Sequence, residues 1–219
     1  MTGGEKLRIA VLASGRGSNL QALLDAAEDP AYPARIAAVF SDKKDAHALE
    51  RARRAGAEAR WVDPAGEDYE ERLIREIEEA GASLICCAGY MRILSPKFVG
   101  HFPGKIVNIH PSILPSFPGL HAQRKAIRAR VRISGCTVHF IDEGVDTGPI
   151  ILQAAVPVLP GDDEDSLSER ILRFEHRLYP LAVRLIAEGK VFLEDNQARM
   201  KNVALNDLAG FIAPPLNLA

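Results

Sequence analysis

Leu7-Arg-Ile-Ala-Val-Leu-Ala-Ser-Gly-Arg-Gly-Ser-Asn19 is the stretch of the chain that decides the fold. Its apolar first half predicts a buried strand at residues 7–13, and the glycine-bearing loop after it leads into a predicted helix at 19–27. A buried strand, a glycine turn and a helix in this order are typical of the first unit of an α/β protein with a parallel sheet.

The same alternation of apolar runs and amphipathic stretches continues through the first half of the chain. It predicts strands at 35–41, 58–62, 84–88 and 106–110, and helices at 46–55, 69–80 and 96–101. Continuous apolar strands separated by helices predict an α/β fold, with a mostly parallel twisted sheet and helices on both faces, as in Rossmann-like proteins. Right-handed crossovers then bring the loops that follow the strands to one edge of the sheet.

The second half of the chain has a different pattern. Two strand-like runs, 136–141 and 150–158, flank an acidic loop and predict antiparallel additions to the sheet. A long amphipathic helix follows, for which Ser166 and Glu169 form a capping-box pattern and Gly189 marks the end. With a short strand at 191–193, residues 1–193 are predicted to form one domain, and 194–219 a weakly ordered C-terminal tail.

Composition narrows the class of protein. The chain has 219 residues, 47% hydrophobic and 26% charged, with a net charge of −2, which is ordinary for a globular protein and gives no sign of nucleic-acid binding. The densest basic run, residues 124–132, is typical of a solvated helix face. We find no signal peptide and no apolar run of membrane-spanning length. Cys86, Cys87 and Cys136 lack metal-ligand spacing, so we expect buried thiols in a reducing cytoplasm.

The loop at residues 14–19 allows two interpretations. Its glycines let the backbone approach an anion, and the following helix offers free N–H groups, which suits a single phosphate. It lacks both the Gly-Lys-Ser/Thr ending of a P-loop and the third glycine of the dinucleotide fingerprint. The alternative is a tight turn in which Ser18 caps the helix, and the residues alone leave the two interpretations balanced.

Two polar side chains lie at the end of the predicted strand 106–110. Asn108 and His110 are two residues apart, so they face the same side of that strand. Ligands of parallel sheets bind at the carboxyl ends of the strands, and both side chains can donate a hydrogen bond to an oxyanion. Either residue alone would be typical of a loop cap, but the pair in this position favours a catalytic site.

The acidic loop 142–149 supplies a candidate carboxylate, either Asp142 or Asp146. It does not follow the EF-hand ligand pattern, and a plain polar hairpin loop remains the alternative. Among the other histidines, His139 lies within a predicted strand and is expected to be a hydrogen-bonded structural residue. His121 is equally compatible with a structural and a functional role.

With these motifs in place, the chain resembles the phosphoribosylglycinamide formyltransferase family, folate-dependent enzymes of purine synthesis. The similarity runs from about residue 8 to about residue 191 and rests on six segments in family order and spacing. These segments are residues 14–21, 89–94, 108–112, 117–121, 137–140 and 142–149.

The resemblance implies an activity and a set of site residues. A formyl group would pass from the co-substrate 10-formyltetrahydrofolate to the amine of glycinamide ribonucleotide (GAR), without a metal. Residues matching the family's catalytic set are Asn108, His110 and Asp146. Residues expected to bind GAR are Gly17, Ser18 and Asn19 at its phosphate and Glu175 at its ribose. Residues expected to line the folate pocket are Met91, Arg92, Ile93, Leu94 and Asn108. One departure is Gly66, where many relatives have a basic residue that contacts the folate.

In the mechanism implied, Asn108 and His110 donate to the oxyanion, while Asp146 orients His110 and raises its pKa. The alternatives are a formyltetrahydrofolate hydrolase, a methionyl-tRNA formyltransferase and a non-catalytic nucleotide-binding module. The hydrolase usually carries a regulatory domain before the catalytic part, whereas the first predicted strand of this chain begins at residue 7. The methionyl-tRNA enzyme normally carries an additional C-terminal tRNA-binding domain. We expect a cytoplasmic monomer or homodimer that binds small molecules, and neither nucleic acid nor membrane.

Overall fold

A computed structural model describes residues 5–202 of the chain. The chain divides into two compact units, the first ending at Asn108 and the second beginning at Ile109. No helix within residues 5–202 is both long enough and apolar enough to cross a membrane.

Parallel strands and the helices between them build the first unit. Its strands are β1 (Leu7–Leu12), β2 (Ala34–Ser41), β3 (Glu58–Trp61), β4 (Leu84–Cys87) and β5 (Ile106–His110), the last of which continues into the second unit. Its helices are α1 (Ser18–Glu28), α2 (His47–Arg54), α3 (Tyr69–Glu79) and α4 (Pro96–His101). Each strand pair is parallel and the order is β3-β2-β1-β4-β5. The predicted elements of this half are therefore confirmed to within two residues at each end.

The strand order reverses between β1 and β4, and this reversal creates a place where a ligand can bind. At such a switch point the loops after the two strands turn in opposite directions and leave a crevice outside their carboxyl ends. β1 is completely buried from Ile9 to Leu12, and α1 covers the sheet with Leu20, Leu23 and Leu24. Burial on both faces explains why the strand is a continuous apolar run and does not alternate.

The second unit is built on an antiparallel strand pair and one long helix. Its elements are α5 (Ala122–Arg128), β6 (Ile133–Phe140), β7 (Ile150–Pro157), α6 (Glu164–Ala187), β8 (Val191–Glu194) and β9 (Gln197–Met200). β6 pairs with β7 and β8 with β9, both antiparallel, and α6 packs on β6 and β7. The predicted fold class, a mostly parallel α/β sheet with antiparallel strands in the C-terminal half, is confirmed.

Three predictions for the second half need correction. The capping box of α6 joins Asp163 and Ser166, not Ser166 and Glu169, because the helix begins at Glu164 with Asp163 as its N-cap. The start of the expected tail is ordered, since β9 pairs with β8 in a hairpin; the remainder, 203–219, lies outside the described residues. β6 begins three residues earlier than expected, at Ile133.

Candidate active site

The loop between β1 and α1 packs closely against α2. Gly17 is the N-cap of α1, with a left-handed backbone at φ 72°, so Ser18 is the first helical residue and not the cap. A Cβ atom on Gly17 would lie 2.8 Å from Cα of Ala48 on α2. The Ala48 N–H donates to the Gly15 carbonyl at 3.0 Å, so the loop is tied to α2. The glycine is required here by both its φ angle and its contact.

The loop after β4 meets the loop after β1 at the switch point. The Ser14 N–H donates to the Gly89 carbonyl at 3.1 Å, and the Met91 N–H donates to the Ser14 hydroxyl at 2.9 Å. Sequence reasoning placed these segments in two separate motifs. The structure brings them together through Ser14, which the sequence analysis treated only as the first residue of the glycine loop.

The predicted folate-binding residues occupy this second loop. Met91 and Ile93 are exposed by 62% and 79%, while Leu94 is buried. The Arg92 guanidinium lies over the Tyr69 ring at 4.7 Å from its centroid. An exposed apolar pair next to a well-anchored backbone segment offers an apolar surface to a flat ligand.

His110, the last residue of β5, has an acceptor at each ring nitrogen. Nε2 lies 2.9 Å from the Phe117 carbonyl oxygen, and Nδ1 lies 3.2 Å from Oδ2 of Asp146. The His110 side chain is 7% exposed and that of Asp146 is 11% exposed. Asn108, two residues earlier on the same strand, is partly buried. The predicted pairing of an imidazole with a carboxylate from the acidic loop is therefore present.

The structure distinguishes the two candidate carboxylates. Asp142 stabilises its own turn, because its Oδ1 accepts from the Gly144 N–H at 3.0 Å and the Thr147 hydroxyl at 2.7 Å. Asp146 instead turns toward His110, from a left-handed backbone at φ 55°. Its Oδ2 also accepts from the Gly119 N–H at 2.7 Å.

Gly148 allows the acidic loop to lie close to β6. A Cβ atom at Gly148 would lie 1.9 Å from the carbonyl oxygen of Phe140. The Phe140 N–H donates across the base of the loop to the Pro149 carbonyl at 2.9 Å. The close approach fixes the path of the loop two residues after Asp146, so it helps to set the position of the carboxylate.

Burial and charge act in opposite directions on the pKa values of this pair. Burial lowers the pKa of His110, and this effect outweighs the Phe117 carbonyl and the Asp146 charge, both of which raise it. The Asp146 charge therefore raises the pKa of His110 as expected, but the desolvation of the ring, which the expectation did not consider, outweighs it. Burial raises the pKa of Asp146, but His139, the Gly119 N–H and the charge of His110 together lower it to about 2.

His139 is a second imidazole on the same carboxylate. Its Nε2 lies 3.6 Å from Oδ1 of Asp146, and its Nδ1 lies 2.8 Å from the Phe140 carbonyl oxygen. The residue is 1% exposed, which agrees with a hydrogen-bonded structural role. Its proximity to Asp146 was not foreseen, since only the fold of the 141–149 loop brings the two together.

Thr137, at the middle of β6, holds the segment after His110. Its hydroxyl donates to the Ser112 carbonyl at 2.7 Å and accepts from the Leu114 N–H at 3.0 Å and from Gln153 Nε2 at 3.0 Å. Thr137 is fully buried. This network determines where the segment leading to Phe117 runs, and hence where the Phe117 carbonyl meets His110.

The remaining predicted site residue, Glu175, lies on α6 and is 4% exposed. Its charge contributes to the raised pKa of Cys136, whose principal cause is burial. All three cysteines are buried, as expected, and none of them forms a disulfide; burial raises the pKa of Cys87 to about 12. Within residues 5–202 no group of three or more His, Cys, Asp or Glu side chains is arranged to hold a metal ion.

The sequence profile described as "Formyl transferase" matches residues 7–183 of this chain. The chain therefore belongs to the formyl transferase family, and the resemblance predicted from its motifs is confirmed. It is 44% identical over 196 residues to phosphoribosylglycinamide formyltransferase of Escherichia coli K12, covering 88% of this chain and 92% of that protein.

Two further proteins extend the comparison. A glycinamide ribonucleotide transformylase 1 structure from Symbiobacterium toebii superposes with a TM-score of 0.87 at 50% identity, covering 91% of this chain and 96% of that one. The trifunctional purine biosynthetic protein adenosine-3 of Drosophila pseudoobscura is 52% identical over 188 residues, which is 83% of this chain. The chain spans 14% of the length of that trifunctional relative.

Proposed function

We propose that this chain transfers the formyl group of 10-formyltetrahydrofolate to the amine of GAR. Membership of the formyl transferase family and the names of its single-function relatives support this activity. The observation that carries the proposal is the buried His110–Asp146 pair at the end of β5, with Asn108 two residues before it.

The reaction adds the GAR amine to the formyl carbon and forms a new C–N bond. The carbonyl oxygen becomes an oxyanion in the tetrahedral intermediate. Asn108 and His110 donate hydrogen bonds to that oxygen, and each such donor contributes about 10²–10³ to the rate. The bond from the formyl carbon to the folate nitrogen then breaks, and the proton lost by the amine passes to that nitrogen with the help of Asp146.

His110 suits this role because both of its nitrogens face acceptors. The Phe117 carbonyl can only accept, so Nε2 carries the single proton of the neutral ring, and Nδ1 donates to the ionised Asp146 once the ring becomes charged. For catalysis the Nε2–H must leave the Phe117 carbonyl for the oxyanion. Burial disfavours the charged imidazolium before the reaction. The negative oxygen of the intermediate would stabilise the imidazolium, because an opposite charge nearby raises the pKa of the ring.

The substrates are assigned to the loops already described. Gly17, Ser18 and Asn19 bind the GAR phosphate, because a helix N-terminus beside a glycine turn favours an anion. Glu175 binds the ribose hydroxyls through its carboxylate. Residues 91–94, together with Asn108, bind the folate.

The enzyme is assigned to the cytoplasm, where its three buried thiols, none of them in a disulfide, would stay reduced. It acts on small molecules and works as a monomer or a homodimer. Size-exclusion chromatography with light scattering distinguishes those two states, and a mass that matches neither contradicts the assignment.

The test is an absorbance assay for tetrahydrofolate release, with and without GAR. We expect release only when GAR is present, and His110→Ala should lower kcat by at least about 10²-fold. His101→Ala is the matched control, since His101 is a half-exposed histidine paired with Glu78 on α3. Release without GAR would indicate a hydrolase, and an active His110→Ala enzyme would refute the mechanism.

A further inference from the structure

A cavity lies at the carboxyl ends of β1, β2 and β3, within the first unit. It is open to solvent on one side, and its volume is about 670 Å³, which is in the range of clefts that bind a small organic ligand. Its wall includes Asp42 immediately after β2 and Trp61 at the end of β3. None of the residues assigned above to GAR or folate lines it.

Asp42 is a buried carboxylate with unused hydrogen-bonding capacity. Its side chain is 2% exposed, and within residues 5–202 its Oδ1 accepts no hydrogen bond. The nearest cation, Nζ of Lys43, lies 4.0 Å from the other oxygen, Oδ2. A buried carboxylate oxygen without a hydrogen-bond donor is energetically unfavourable, and a ligand in the cavity can supply that donor.

The position of Asp42 indicates which donor fits. In sheets with this strand order, the crevice outside the first strands takes a nucleotide, and a carboxylate at the end of the second strand accepts from the ribose hydroxyls. Asp42 follows the last residue of β2, 25 positions after Gly17 in the glycine loop. A vicinal diol therefore matches both the place and the chemistry of this carboxylate.

Trp61 and the rim of the cavity favour the other two parts of a nucleotide. Because the Trp61 indole is 41% exposed, an aromatic base can stack on it. Nζ of Lys44 lies 5.6 Å from the centroid of the indole ring. Exposed cations on the rim are Arg16, Lys43 and Lys44, to which a phosphate can bind. Two carboxylates also line the cavity, Asp45 and Asp63, and Asp63 already accepts from the Ala65 N–H at 3.0 Å.

We propose that this cavity is a second nucleotide site, which binds a purine 5′-mononucleotide through Asp42, Trp61 and the rim lysines. The base distinguishes this ligand from GAR, which has no aromatic ring to place on Trp61. A folate polyglutamate tail could use the lysines, but its carboxylates would meet the Asp42 charge without a donor.

The first test is a fluorescence titration of the full chain with AMP. Trp61 is the one tryptophan of the sequence, so its emission reports on this cavity alone. We expect saturable quenching by AMP, an affinity about tenfold weaker for 2′-deoxy-AMP, and no quenching by ribose 5-phosphate. No saturation up to about 1 mM AMP, or quenching by poly-γ-glutamate instead, would overturn the proposal.

Calorimetry on variants completes the test. Asp42→Asn and Lys44→Ala should each weaken AMP binding by about tenfold, while formyl transfer in the absence of AMP stays within about twofold. The matched controls are Asp25→Asn on α1 and Lys97→Ala on α4, which are exposed and should leave AMP affinity unchanged. AMP that competes with GAR and is insensitive to both cavity variants is bound in the substrate site, and that result overturns the inference.

Discussion

Asp146→Asn isolates the charge of the carboxylate from its shape. The asparagine side chain has the same size as the aspartate, and its oxygen can still accept from the Gly119 N–H. That N–H lies 2.7 Å from Oδ2 of Asp146 in the unsubstituted protein. The negative charge that lies 3.2 Å from His110 Nδ1 and 3.6 Å from His139 Nε2 disappears. The variant therefore tests whether catalysis depends on the charged form of the imidazole.

The expected loss follows from the balance on His110. Burial lowers its pKa and the Asp146 charge opposes that effect, so removing the charge lowers the pKa further. A carboxylate at this distance changes the ratio of charged to neutral imidazole by about 10–10³-fold. Both side chains are nearly buried, so solvent screens the pair little. We expect kcat near neutral pH to fall by about the same factor, with the KM for GAR within about threefold.

The assay is kcat for tetrahydrofolate release between about pH 5 and pH 9, together with NMR titration of the histidine rings. In Asp146→Asn the alkaline limb of the profile should move to lower pH and the His110 titration should move with it. Asp142→Asn is the control, because it lies in the same loop but only stabilises the turn through Gly144 and Thr147. A variant with full kcat, or an unshifted profile, would refute the dependence on the charged imidazole.

Three further outcomes are expected. Gly17→Ala should raise the KM for GAR and lower Tm, since its Cβ meets α2 at 2.8 Å, whereas Gly15→Ala, with open space, should do neither; equal effects would contradict the role of the loop. Thr137→Val should reduce the free energy of unfolding in urea by about 2–3 kcal/mol, because the Leu114 N–H loses its acceptor; a change below about 0.5 kcal/mol would contradict this. Asp146, with a folded pKa of about 2 against an ordinary 3.8, contributes about 2 kcal/mol of stability that is present above about pH 4 and lost as the pH falls toward 2. Urea unfolding at several pH values should show this loss in the native chain and not in Asp146→Asn.

Boundaries were predicted well where one signal dominates. The parallel strands are apolar on both faces, so β1 and β4 could be found from composition alone. The start of α6 was misjudged because two overlapping capping patterns exist, and only the backbone decides that Asp163 and not Ser166 is the cap. The short strand β9 was missed, since its residues form a strand only by pairing with β8.

The site could be predicted in its components but not in its energetics. Asn108 and His110 were found from their spacing on a strand end, a local property. The pattern of the acidic loop left Asp142 and Asp146 as alternatives, and only the family resemblance favoured Asp146. The two residues differ in where the folded backbone directs their side chains. The specific contacts of Ser14 and His139 could not be predicted, since their partners lie 77 and 7 positions away.

By itself the sequence determined the order of strands and helices, the glycine loop and the family, because these follow from local periodicity and short motifs. Only the tertiary structure decided how close Asp146 lies to His110, which way the pKa of that ring moves and that Asp42 borders a cavity. The physical reason is that electrostatic and desolvation energies depend on distances and burial between residues far apart in the chain. Such quantities exist only once the chain has folded.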